Sequence, residues 1–223
     1  ESLEPSTEYQ LRIVSTNADG LSAVSDGHVV TTLDPGAAEP AARSDDFSAS
    51  NLDPGLWSFI DPVGRGRVAI TGTGTADARL ELFVPPGPVH DVWTTNDGVR
   101  VMQPVQDIDF ELEVKFESTP VENIQMQGIL VEEDPDSWLR FDFHRNGGAL
   151  SVFASRTLNG GPEPSGNTEI ADGPGPIYLR VSRTGDTWTQ SVSRDGETWD
   201  LMTTFQQPMT VTAVGVFGGN ALG

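Results

Sequence analysis

Apolar and polar residues alternate strictly along residues 138–144. Leu139, Phe141 and Phe143 are apolar, whereas Arg140 and Asp142 between them are charged. A period of two is what a pleated β-strand with one buried face produces. We therefore predict a strand over this segment, with its three phenyl and leucyl side chains directed into a core.

The same pattern and regular turn signals recur along the chain after residue 45. Glycine-containing turns such as 146–148, 183–186 and 194–197 separate the apolar runs, and no segment shows a sustained helical period. The fold class predicted is all-β, with two antiparallel sheets packed as a sandwich. The candidate strands are 68–71, 79–84, 99–103, 110–117, 125–131, 138–144, 150–154, 177–183, 187–194, 203–205 and 211–217.

The first 33 residues differ in style from the rest. Leu3, Pro5, Thr7 and Tyr9, followed by an Asn-x-x-Gly turn and a closing Thr-Thr strand, resemble the C-terminal part of a fibronectin type III domain. Two strands cannot bury an apolar face alone, so we expect the earlier strands, and a longer polypeptide, outside this chain. Residues 34–44 are predicted to be a linker, and residues 45–223 a second domain.

The net charge of the chain restricts its possible binding partners. The chain has 33 acidic and 13 basic residues, a formal net charge of −20, and Lys115 is its single lysine. Such acidity argues against nucleic acid and anionic membranes as partners, and no apolar run is long enough for membrane insertion. Two explanations stay open: hydration in a salty environment, or binding of divalent cations. The absence of cysteine excludes disulfides.

Seven ordered motifs in the second domain carry a resemblance. They lie at residues 45–47, 52–57, 103–105, 109–113, 136–141, 179–181 and 193–199. Together they resemble the concanavalin A-like lectin and glucanase jelly rolls, most closely the laminin-G-like sandwiches appended to bacterial glycoside hydrolases such as family 43 enzymes. The resemblance implies a jelly-roll sandwich whose last strand, expected after the Gly218–Gly223 segment, is missing here, and a structural Ca²⁺ near Asp45 and Asp46.

The polar face of the 138–144 strand suggests a ligand. Trp138 offers a flat apolar plane to a sugar ring, and Arg140, Asp142 and His144 supply hydrogen bonds to hydroxyl groups. Arg140 is also suited to hold a uronic carboxylate. On this hypothesis the four side chains emerge together into an open, water-filled trough. The alternative is structural: cross-strand charge pairing, with Trp138 lying over a turn.

A second aromatic position follows the Pro-Pro-Gly-Pro breaker at 85–88. His90 and Trp93 are predicted at a rim loop or strand start, where Trp93 is either a further stacking platform or a core plug. Trp57 and Trp188 are interpreted as core residues.

Three acidic residues invite an enzyme hypothesis. Asp107, Asp109 and Glu111 resemble the E-x-D-x-E strand motif of laminarinase-type glucanases, in which two carboxyl groups act as nucleophile and acid. Asp107 stands at the first position of the motif in place of Glu, and its side chain is one methylene shorter. A nucleophile at this position would therefore be misplaced. We therefore expect no catalysis in this chain.

These observations favour a non-catalytic carbohydrate-binding module of a secreted or cell-surface multidomain protein, ancillary to a polysaccharide-degrading enzyme. Its expected partners are a poly- or oligosaccharide and further domains of the same polypeptide. Two alternatives stay open: a structural or adhesive spacer in a surface appendage or filament, and a divergent β-glucanase.

Overall fold

The chain forms two compact units, residues 1–39 and residues 40–223. The computed structural model describes residues 41–221 in full and, before them, only the backbones of four strands. Within these residues no helix is long and apolar enough to cross a membrane. In the first unit β1 pairs antiparallel with β4, and β2 with β3; the strands are β1 (Glu8–Leu11), β2 (Val14–Thr16), β3 (Ser22–Val24) and β4 (His28–Thr31). The motif residues of the fibronectin resemblance have side chains outside the described part, so that resemblance stays a prediction.

The second unit is a sandwich of two antiparallel sheets. The larger sheet has the order β13-β12-β11-β10-β17-β8-β5, the smaller one β16-β15-β14-β9, and β6 pairs only with β7. The predicted all-β sandwich is therefore confirmed. Its strands are β5 (Ser58–Ile60), β6 (Arg67–Thr71), β7 (Arg79–Phe83), β8 (Val99–Pro104), β9 (Phe110–Phe116), β10 (Gln125–Asp134), β11 (Ser137–Asn146), β12 (Ala149–Leu158), β13 (Gly161–Ile170), β14 (Ile177–Thr184), β15 (Thr187–Ser193), β16 (Asp200–Gln206) and β17 (Ala213–Asn220).

The main core lies between the two sheets. Phe141 of β11 stacks against Phe205 and lies 6.1 Å from the ring of Trp188, which is fully buried as the sequence predicts. Leu139 and Phe143 enter the same cluster, together with apolar residues of β10, β12, β14 and β15. The alternation of β11 thus places its predicted apolar face in the core.

A second apolar cluster lies on the opposite, outer face of the seven-stranded sheet. Leu130, Met126 and Phe217 of the sheet pack there with Trp138 and with Val92, which comes from the segment before β8. β11 is consequently buried on both faces, from Ser137 to His144. A half-buried strand was the prediction, and the difference arises because another part of the chain covers the sheet.

Candidate functional site

The four polar residues predicted to bind a ligand do share one face. Trp138, Arg140, Asp142 and His144 all lie on the outer side of β11, opposite Thr157, Ser155, Phe153 and Ser151 of β12. Their exposed fractions are 1%, 5%, 0% and 8%. The expectation of an open, water-filled trough is therefore wrong, although the shared face is confirmed.

A segment that we call the strap, residues 85–98, closes this face. Val92 is fully buried in it, the main-chain oxygen of Val92 accepts a bond from Arg140 Nη1 at 3.4 Å, and that of Trp93 accepts one from Thr157 Oγ1 at 3.1 Å. The Asp91 carboxylate accepts from the N–H groups of Trp93 and Thr94, which turns the chain back toward β8. Sequence reasoning missed this cover, because the strap has no period that predicts a strand or helix.

Beneath the strap, the charged side chains pair with each other. Arg140 Nε lies 2.5 Å from Asp142 Oδ2, and His144 Nδ1 lies 3.4 Å from Asp142 Oδ1. The Arg140 guanidinium also stands 5.0 Å from the centre of the Phe153 ring. Such mutual pairing is what the structural alternative expects, and ligand binding by this row stays a prediction.

His90 and Trp93, which were both predicted at a rim loop or strand start, differ in burial. His90 is fully buried; its N–H and C=O form a two-way backbone bridge with Asn220, and its Nδ1 lies 3.1 Å from the Pro88 oxygen. Trp93 is half-buried, with its ring centre 6.0 Å from that of Phe153. Trp93 therefore keeps part of its indole at the surface.

An open cleft lies at one end of the same outer face, with a volume of about 640 Å³. It lies where the β10–β11 turn, the end of β5 and the end of the strap meet. Polar groups and apolar side chains are both present on its walls. The lining residues are Ile60, Pro62, Asn96, Asp97, Arg100, Glu132, Glu133, Asp134, Pro135 and Thr212.

An ion pair forms the floor of this cleft. Arg100 Nε lies 3.0 Å from Glu132 Oε1, and Arg100 Nη1 donates to the main-chain oxygens of Asn96 and Gly98. Asn96 Nδ2 donates to the same Glu132 oxygen at 2.6 Å. Burial lowers the pKa of the Arg100 guanidinium, and the charges of Glu132 and Asp97 oppose that effect.

Sequence reasoning did not select Arg100 or Asn96. A signal was present: Arg100 is the one charged residue in the otherwise apolar Val99–Met102 run, and a buried charge needs a partner. Glu132, Glu133 and Asp134 form an acidic run in the sequence, but the sequence does not show that the strap ends beside them.

The three carboxylates of the enzyme hypothesis have separate partners. Asp107 pairs with Arg183 and accepts the Val211 N–H, Asp109 accepts the Gly185 N–H, and Glu111 lies 3.5 Å from Arg180. The pKa of the Asp107 carboxyl is lowered, chiefly by its bond from Arg183. Asp107 and Asp109 thus hold the β8–β9 loop to β14, to the β14–β15 turn and to the segment before β17.

The acidic pair at the start of the domain also has internal partners. Asp45 accepts bonds from the Phe47 N–H and from Nε1 of the half-buried Trp57, and Asp46 accepts from the Ser48 N–H. The Ser48 hydroxyl and, after it, the Ser48 N–H lower the pKa of the Asp46 carboxyl. Within residues 41–221 no group of three or more His, Asp and Glu residues is arranged to hold a metal ion. The structural Ca²⁺ stays a prediction.

Comparison with known families identifies the sandwich. Residues 75–221, which include the strap and most of the cleft, match the family described as a protein of unknown function, DUF1349. The chain belongs to this family. No curated protein matches the DUF1349 chain significantly.

Solved structures share the fold of this DUF1349 chain. The GH43 protein BlXynB from Bacillus licheniformis has a TM-score of 0.65 and 15% identity, over 94% of this chain and 43% of that chain. The xylan β-1,4-xylosidase from Bacillus halodurans C-125 gives 0.60 and 19%, over 94% and 43%. GH43B of the Bacteroides ovatus xyloglucan locus gives 0.60 and 18%, over 92% and 42%. The concanavalin-like sandwich predicted from the sequence is confirmed, and the chain spans less than half the length of these proteins.

Proposed function

We propose that the sandwich is a non-catalytic carbohydrate-binding module of a secreted or cell-surface multidomain protein, and that a saccharide binds in the end cleft. The observation that carries the proposal is the cleft itself. Its volume of about 640 Å³ lies within the roughly 300–1,000 Å³ typical of small-ligand sites. That space accommodates a short run of sugar rings.

The walls of the cleft suit the two-sided chemistry of a sugar. Ile60, Pro62 and Pro135 offer apolar contact to C–H groups, while the carboxylates of Asp97, Glu133 and Asp134 supply hydrogen-bond acceptors for hydroxyl groups. The floor is cross-linked, since Arg100 forms an ion pair with Glu132 and Asn96 Nδ2 donates to the same Glu132 oxygen. A preformed site loses less entropy on binding than a mobile one.

The structural neighbours add support of a weaker kind. The proteins of the same fold reported above are GH43 proteins, and one is named as a xylan β-1,4-xylosidase. A sandwich attached to such an enzyme would benefit from holding the polysaccharide close to it. The separate partners of Asp107, Asp109 and Glu111 agree with a non-catalytic role.

One alternative is favoured by a specific observation. The strap fills the face that was expected to be open, which suits a structural or adhesive spacer whose polar residues serve its own stability. A spacer has no need of a saccharide ligand, so a binding experiment separates the two functions.

The test is titration of the full chain against neutral oligosaccharides, namely xylohexaose, cellohexaose and laminarihexaose. Binding to at least one of them supports the proposal, as does its loss in Asp97→Ala/Glu133→Ala. The matched control is Asp186→Ala/Glu197→Ala, which removes two exposed acids elsewhere and should bind as the parent does. Absence of binding to every sugar overturns the proposal, and release of reducing sugar that disappears in Asp107→Asn would favour the glucanase alternative.

A further inference from the structure

The charges of the cleft restrict which saccharide it accepts. Four carboxylates line it, those of Asp97, Glu132, Glu133 and Asp134, against the single guanidinium of Arg100 among the lining residues. Glu132 and Arg100 offset each other, which leaves three carboxylates without a cation among the lining residues. The lining of the cleft therefore carries a net negative charge.

The guanidinium is engaged at two of its three nitrogens. Its side chain is 9% exposed, its Nε lies against Glu132, and its Nη1 donates to two main-chain oxygens. A carboxylate ligand is best held by a bidentate pair with a free guanidinium. Arg100 does not present that fork, and neither does Arg140, which the sequence suggested for a uronic acid and which pairs with Asp142 beneath the strap.

The polar groups on the rest of the cleft wall are hydrogen-bond acceptors. Asn96 adds no free group to this wall, because its Nδ2 donates to Glu132 and its Oδ1 is buried. The carboxylates of Asp97 and Glu133, both half-buried, are acceptors, and one Glu133 oxygen already accepts the Thr210 N–H at 3.4 Å. Such a wall matches sugar hydroxyl groups acting as donors, and it repels a negatively charged group at the same place.

We propose that the end cleft selects uncharged saccharide segments, read through their hydroxyl donors, and excludes segments that carry uronic acid carboxylates. This inference rests on the proposed function, because it names the ligand class of the same cleft. The exclusion is electrostatic in origin, and its strength falls as salt shortens the screening length from about 30 Å at 0.01 M to about 3 Å at 1 M.

A matched pair of ligands tests the selection. Xylo-oligosaccharides of equal length, with and without one glucuronic acid branch, are titrated into the full chain at low salt. The neutral sugar is expected to bind about tenfold more tightly or better, since like charges this close and half-buried repel strongly. In 1 M salt the difference in affinity between the two sugars should shrink severalfold, while the affinity for the neutral sugar stays almost unchanged.

Two double variants of equal net charge show whether the carboxylates of the cleft cause the exclusion of the branched sugar. Asp97→Asn/Glu133→Gln should admit the branched sugar at low salt, because the repelling carboxylates are replaced by amides of the same shape. Asp186→Asn/Glu197→Gln removes the same charge from a distant surface and should leave the discrimination unchanged. Equal affinity of the parent chain for both sugars overturns the inference and leaves the proposed function intact. The same holds if both double variants gain equally in affinity for the branched sugar. Absence of binding to the neutral sugar overturns the proposed function instead.

Discussion

At the scale of single residues, Arg140 and Asp142 show how burial changes the meaning of a motif. The sequence places a charged pair on one face of β11, and the structure confirms that face. Exposed, the pair would be free to bind a hydroxylated ligand. With exposed fractions of 5% and 0%, each charge instead depends on the other for the solvation that water would supply.

We expect Arg140→Met to leave Asp142 as an uncompensated buried charge and to lower the free energy of unfolding by about 3–5 kcal/mol. The double variant Arg140→Met/Asp142→Leu should recover much of that loss. The exposed pair of Arg156 and Glu163 is the control, since Arg156→Ala should cost about 1 kcal/mol or less. Urea unfolding measures all three, and similar small losses for Arg140→Met and Arg156→Ala would contradict the account.

Asp107 supplies a contact that acid should weaken. Its bond from Arg183 and the Val211 N–H lower the pKa of the folded carboxyl below the unfolded value of about 3.9. The contribution to stability is therefore complete above pH 4–5 or so, and is lost as the pH falls through the folded pKa.

Asp107→Asn should accordingly be less stable than the parent at pH 7, and the difference should narrow as the pH falls below about 4. Urea midpoints between neutral and acid pH measure it, with Asp186→Asn, an exposed turn residue, as the control. A difference between parent and Asp107→Asn that stays constant with pH would show that the carboxylate charge is irrelevant to this contact.

At the scale of elements, the strap decides which surfaces are available. Val92 anchors it to the sheet with no exposed surface, so Val92→Ala should lower the free energy of unfolding by about 2 kcal/mol. Val121, which is 72% exposed, provides the same substitution without burial, and Val121→Ala should change stability by about 0.5 kcal/mol or less. Equal effects of the two substitutions would mean that the strap is not packed on the sheet.

The elements that sequence reasoning found and missed differ in one physical respect. Strands with an alternating pattern, such as β9, β11 and β14, were predicted to within three residues at either end. β13 was missed because Pro162, Pro164 and two glycines suppress every strand signal. The structure shows why they are tolerated: β13 is the edge of the seven-stranded sheet, where one row of N–H groups needs no partner strand.

At the scale of the whole molecule, the net charge of −20 destabilises the compact state by self-repulsion. Added salt should therefore raise Tm, whichever monovalent salt is used. CaCl₂ and NaCl of equal ionic strength distinguish the two explanations of the acidity, since an equal rise in Tm with both salts is what charge screening alone predicts. A larger rise with calcium at low millimolar concentration would support the calcium explanation of the acidity over the salt explanation.

The end cleft marks the limit of prediction from the sequence alone. The acidic turn at residues 132–136 was visible, and so was the Asn96-Asp97-Gly98 turn, but they are about 36 residues apart in the chain. Only the path of the strap over the sheet brings Asn96 to Glu132. Local patterns predict strands well, whereas a site assembled from loops depends on long-range packing that those patterns do not encode.

The central claim, that a saccharide occupies the end cleft and not the covered row of β11, is tested most directly by mapping amide shifts in NMR spectra during titration with a neutral oligosaccharide. The account predicts saturating shifts at residues 60, 61, 96–100, 132–134 and 212, with those of 140–144 unchanged. Shifts centred on β11 beneath the strap, or shifts nowhere in the described part of the chain, would contradict it.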